Sequence, residues 1–76
     1  MSITPEQVKA ARELLEWSQS DLAGHVGVSE SAIRLFELGV NLVLFDLGAV
    51  RNVLEAAGIE FAENGSGAIV RLRKAT

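Results

Sequence analysis

Cysteine is absent from the 76 residues, so neither a disulfide nor a thiolate metal site is available. Histidine occurs once, as His25, and no second imidazole exists to complete a metal site or a nucleophile–base pair with an orienting acid. No apolar run approaches the 18 or more residues of a membrane span. The opening Met1-Ser2-Ile3-Thr4-Pro5 lacks the basic and apolar regions of a secretory signal. These absences lead to the expectation of a cytoplasmic protein with no membrane partner. Basic residues are also scarce: seven Lys and Arg stand against ten Asp and Glu, a net charge of −3. A nucleic-acid binder usually carries a basic surplus, although a local basic patch can overrule the total.

A chain of this length holds one hydrophobic core, near the lower limit for folding alone. Burying only about 60% of its unfolded surface, such a chain relies on a dense helical core, a staple or a partner subunit.

Thr4-Pro5-Glu6-Gln7 has the pattern of a helix start, with Thr4 as cap, Pro5 in the first turn and Gln7 at the capping-box position. A first helix to about Glu16 would place Val8, Ala11, Leu14 and Leu15 on one apolar stripe. Ser18 with Asp21 opens a second, short helix that ends at Gly27. Ser29 caps a third through about Leu38, with Ala32, Ile33 and Phe36 inward. A fourth, from about Leu44 or Asp46 to Ala57, buries Leu47, Val50, Val53 and Leu54 and stops at Gly58. The period then changes. Ile59 to Glu63 alternates, Asn64-Gly65-Ser66-Gly67 has turn chemistry, and Ala68 to Arg73 alternates again, which predicts a β-hairpin. The expected fold is mainly α: a four- to five-helix bundle over residues 1–58, followed by a hairpin and basic tail over 59–76.

The stretch Gln19 to Gly39 resembles the helix-turn-helix of the Cro/CI repressor-type, or XRE-like, family. Small Ala23 lets two helices approach, Gly27 permits a tight turn, and Val28 and Ile33 fill the angle between them. The resemblance covers Val8 to Gly58, and Trp17-Ser18-Gln19, Glu37 with Gly39 and Leu54-Glu55-Ala56-Ala57-Gly58 look like a subgroup of short bacterial regulators. It implies a lambda-repressor-like bundle, a DNA-binding transcriptional regulator and a homodimer on paired half-sites. It also implies an ion pair between Arg12 and Glu37, phosphate contact at Gln19, and base-reading positions at Ser29, Glu30, Ser31, Arg34 and Leu35. Serine hydroxyls suit phosphate or base edges, arginine suits guanine, and a glutamate accepts from cytosine but repels phosphate.

The chain departs from the resemblance just after the third helix. Relatives carry basic, polar and proline residues there, whereas Leu38-Gly39-Val40-Asn41-Leu42-Val43-Leu44-Phe45-Asp46-Leu47 has no Lys or Arg. Between Trp17 and Val50, Asp21, Glu30, Glu37 and Asp46 face one arginine and one histidine. Part of this apolar segment closes the core, but helical geometry sends some side chains outward, and monomers seldom leave such a patch open. Two functions follow as expectations. One is the XRE-like regulator with weakened DNA contacts. The other is a protein-interaction or self-assembling module, antirepressor-like or an engineered oligomer, whose surface is Leu35, Leu38, Val40, Leu42, Val43, Leu44 and Phe45. The expected partners are a second copy, as a homodimer or higher oligomer, and double-stranded DNA. Gly65 and Gly67 form only a short Gly-x-Gly with no following helix or lysine, and nothing points to catalysis, a cofactor, a metal or a small-molecule substrate.

Overall fold

The computed structural model describes residues 3–41, 45–64 and 67–73. Four helices, α1 Pro5–Leu14, α2 Gln19–Val26, α3 Glu30–Glu37 and α4 Leu47–Ala56, precede an antiparallel hairpin of β1 Ile59–Asn64 and β2 Gly67–Leu72. No fifth helix occurs among the described residues.

Local chemistry sets each helix start. The Thr4 hydroxyl accepts from the Gln7 amide at 3.2 Å while Gln7 Oε1 accepts from the Thr4 amide at 2.7 Å. This reciprocal capping box accounts for Gln7, the one buried polar residue among those described, which is 7% exposed. Ser18 and Asp21 form a second box at α2, with bonds of 2.9 and 3.0 Å. Hydrogen bonding from Ser18 to the carboxylate, from its backbone amide first and then its side chain, holds the Asp21 carboxyl below the usual carboxylate range. Ser29 caps α3, and Asp46, at the predicted start of α4, caps it through a bond from the Ala49 amide.

Helix ends are equally explicit. After α3 the amide of Gly39 donates to Phe36 O at 2.9 Å and that of Val40 to Leu35 O at 3.0 Å, with Gly39 at φ +89°. This is a Schellman motif, and it commonly brings the residue at the Val40 position against the one at Leu35. The same pair of bonds ends α1, from Glu16 to Glu13 O and Trp17 to Arg12 O, but here the left-handed position is held by Glu16, at φ +58°. Helix α1 therefore stops two residues before the expected Glu16.

The core is one cluster: Ile3, Val8 and Ala11, Leu22 and Ala23 of α2, Ile33 of α3, Val50 and Leu54 of α4, and Ile59 of β1. Leu15, Trp17, Val28, Phe36, Phe45, Leu47 and Val53 close over it half-buried. Leu14 corrects the expected stripe, being 42% exposed. At 100° per residue it lies about 120° around the helix from Val8, whereas Leu15 returns to within about 20°. In the hairpin Ile59 faces Leu72 and Phe61 faces Val70, so the apolar alternation shares one side, which packs on α1 and α4. No helix of the described residues is long and apolar enough to cross a membrane.

Candidate nucleic-acid interface

Helices α2 and α3 are joined through Gly27-Val28-Ser29, the connection the sequence predicts. Gly27 has φ +87°, a conformation that needs glycine for backbone reasons alone, because a Cβ there would meet nothing within 4 Å. Ile33, fully buried, and half-buried Val28 fill the space behind the turn.

What fixes α3 in place is a polar network. The Arg12 guanidinium donates from Nε to Glu37 Oε2 at 2.9 Å and from Nη2 to Glu37 Oε1 at 3.0 Å, while Nη1 reaches the Trp17 carbonyl at 2.9 Å. The two side chains are 12% and 4% exposed, so this fork-on-carboxylate contact is shielded from salt. The carboxylate raises the guanidinium pKa further, chiefly through the hydrogen bond. Gln19 adds a third strut, donating from Nε2 to Glu37 Oε1 at 3.1 Å. One ionised pair thus links α1, α2 and the end of α3. The sequence places Arg12 and Glu37 together only by resemblance, and it does not reveal that Gln19 joins them.

Ser29, Glu30, Ser31 and Arg34 are all exposed, with Ser29 and Glu30 at the start of α3, Ser31 opposite Ile33 and Arg34 about a quarter-turn from it; Leu35 is half-buried. The Ser29 hydroxyl oxygen accepts from the Ala32 amide at 3.1 Å, which leaves its proton free to donate outward. Gln19 sits at the first position of α2, where backbone amides point out of the helix end, but its side chain is turned back to Glu37. Among the described cations Arg12, Arg51, Arg71 and Arg73 form ion pairs, and Lys9 and Arg34 do not. Arg71 and Arg73 both face Glu60, at 2.7 and 3.8 Å, across the exposed side of the hairpin. Arg34 is therefore the single unpaired guanidinium on the α2–α3 surface.

The apolar segment divides. Leu38 is 73% exposed and Val40 42%. Phe45 turns inward and stacks on Phe36, ring centroids 4.8 Å apart at 14°, and Leu47 packs beside it. Leu42, Val43 and Leu44, expected at the same surface, lie outside the described residues. Next to Leu38 a groove of about 290 Å³ opens between Pro5, Phe36, Gly39, Val40, Asn41, Phe45 and Leu47. Trp17 stacks on exposed His25, centroids 4.2 Å apart at 12°, which gives the imidazole a ring partner and the tryptophan its place at the α1–α2 junction. No cluster of three or more potential metal ligands occurs among the described residues. No family model matches the chain, and no curated protein matches it at a significant level of similarity.

Proposed function

We propose that the chain is a DNA-binding transcriptional regulator of the XRE-like helix-turn-helix class, working as a homodimer on paired half-sites with a lighter phosphate grip than its class usually has. The observation that carries this reading is α3 itself. Its inner side is fixed by Ile33 and by the Arg12–Glu37–Gln19 network, while Ser29, Ser31 and Arg34 stand clear with the guanidinium unpaired. A rigid helix with a free arginine and two hydroxyls on its open side suits the major groove. Arg34 grips a guanine edge, Ser29 and Ser31 bond phosphate or a base edge, Glu30 accepts from a cytosine, and the amides at the starts of α2 and α3 hold phosphate.

The charge balance sets the strength. Lys9 and Arg34 are the described cations without an ion pair, so a dimer offers few phosphate contacts against the roughly 6–10 of strong binders. Fluorescence anisotropy with random duplex DNA across a salt series tests this. Binding at low salt with a log–log slope of about −2 to −4, reduced by about 1 in Arg34→Ala, is the expected result. Absence of binding even at the lowest salt overturns it.

A second reading has its own observation. Leu38 and Val40, 73% and 42% exposed beside an apolar groove, suit a protein-interaction or self-assembling module. That module needs no DNA, and no duplex binding at any salt would favour it.

A further inference from the structure

We infer that the outer edge of β2 is a homotypic pairing site: β2 of one copy adds antiparallel to β2 of a second, about a two-fold axis at Val70, and the two hairpins become one four-stranded sheet. This names the interface of the homodimer proposed above and rests on that reading for its bearing on DNA, whereas the pairing itself stands apart from it.

The backbone shows which groups are open. The Arg73 amide bonds the Gly58 carbonyl at 2.7 Å, and the register runs without a break from Ile59↔Leu72 to Asn64↔Gly67. Backbone groups alternate in direction along a strand, so Ile69, Arg71 and Arg73 turn theirs toward β1 while Ala68, Val70 and Leu72 turn theirs away. Among the described residues the sheet has two strands, and none of those residues bonds the outward groups of Val70 or Leu72. The edge of β1 is not equivalent. There Ile59 is sealed at 2% exposure, and the Arg51 guanidinium of α4 lies over the Phe61 ring at 5.8 Å. On β2, Leu72 is 41% exposed. Proteins keep a strand edge from pairing with another chain by proline, bulges, unpaired charge or a covering element. Gly67–Leu72 has no proline and no bulge, and its one charge, Arg71, is matched by Glu60 at 2.7 Å.

The chemistry of that edge decides its occupant. A row of outward amides and carbonyls is complementary to another extended strand, and β2 is also complementary to itself in sequence. With the axis at Val70, Val70 faces its own copy, Leu72 faces Ala68 of the partner subunit, and Arg71 faces Ile69 of the partner subunit, so no like charges meet. An axis at Arg71 sets Arg71 against its own copy, and one at Leu72 sets it against Arg73. An axis at Ile69 leaves Leu72 opposite residue 66, beyond the strand. The resulting symmetry also suits the regulator reading. An axis relating paired edge strands runs roughly perpendicular to the sheet, so the helices of both copies, which pack on its apolar side, lie on one side of it. Both α3 helices then stand on the same side of the shared sheet, as paired half-sites on one duplex require.

Amide hydrogen exchange of the wild-type chain, followed by nuclear magnetic resonance, tests the edge directly. As protein concentration rises through the association range seen in sedimentation equilibrium, the Val70 and Leu72 amides are expected to slow severalfold, while the outward amide of Phe61, on the other strand, keeps its rate. Leu72→Pro removes an amide that β1 does not use and should weaken association about tenfold or more, since symmetry deletes two bonds. Ile69 tests the register. Ile69→Glu would face Arg71 of the partner subunit twice over and should associate about tenfold more tightly than Ile69→Lys. A wild-type chain that stays monomeric, leaving the edge to a strand of another protein, overturns the inference. So do Val70 and Leu72 amides whose exchange ignores concentration, or equal association by the two Ile69 variants. Association with protected Val70 and Leu72 amides but no duplex binding supports the pairing and overturns the regulator reading. Duplex binding by a chain that never associates does the reverse.

Discussion

Glu16 is the one described non-glycine residue with a positive φ, +58°, forced there by the two backbone bonds that close α1. The left-handed region costs an ordinary L-residue about 1–2 kcal/mol, and glycine escapes this while giving up part of the gain in backbone entropy. Glu16→Gly is accordingly expected to stabilise the fold by roughly 0.5–1 kcal/mol, visible as a rise of several degrees in the thermal midpoint. Arg12 and Glu37 behave in the opposite way. With both side chains nearly sealed, removal of either partner strands a charge, and Glu37→Leu alone should cost about 3–5 kcal/mol in a urea titration. The pair Arg12→Met, Glu37→Leu should lose much less than the sum of its single changes, because the desolvated charges leave together. Asp21 supplies the pH dependence. Its carboxyl is held below the ordinary value of 3.8 by Ser18, so the capping box adds stability that is fully present above that pH and declines as pH falls below it. Asp21→Asn should flatten the acid limb of stability measured by circular dichroism in that window, because it removes the carboxylate's contribution near neutrality, where that contribution is fully present.

Elements here are specified mostly at their ends. The capping boxes of Thr4–Gln7 and Ser18–Asp21 and the caps at Ser29 and Asp46 were readable because they use side chains at fixed offsets, and the helices begin where those residues fall. Gly27 and Gly58 marked ends for the same reason, through the backbone freedom a turn requires. Glu16 was not readable as an end, since nothing in its chemistry announces a left-handed residue; tertiary packing of Trp17 and Leu15 over the core overrides its preference. Of the candidate site, the positions Ser29, Glu30, Ser31 and Arg34 came from the resemblance alone, and the structure leaves all four exposed. The inward turn of Phe45 was not readable, because a run of apolar residues holds no period to distinguish a ring stacked on Phe36 from one left in water. Gln19 read as a helix-end contact, and its hold on Glu37 depends on three elements meeting, which local pattern cannot express. Helix α3 depends on a single fully buried residue, so Ile33→Ala should cost about 2–5 kcal/mol by chemical denaturation and loosen the α3 surface with it. Gly27→Ala should cost about 1 kcal/mol from backbone strain alone, since its new methyl group has open space around it.

At the scale of the whole molecule, the hairpin completes the core. Ile59 is sealed within it, the Arg73 amide closes on the Gly58 carbonyl at 2.7 Å, and the two strands rest on α4 and α1. A two-stranded ribbon alone is marginal in water, and the helices without it lose Ile59 from their shared core, so each part relies on the other. Truncation after Gly58 should therefore abolish the cooperative heat-absorption peak in calorimetry, and the loss should exceed any single core substitution. The stacking of Trp17 on His25 has a practical consequence of another kind. Tryptophan occurs once and tyrosine not at all, so near-ultraviolet emission excited at the indole band originates from the α1–α2 junction alone. An emission transition that coincides with the far-ultraviolet signal would mark one all-or-none unfolding event, and an earlier one would mean that this corner opens before the rest.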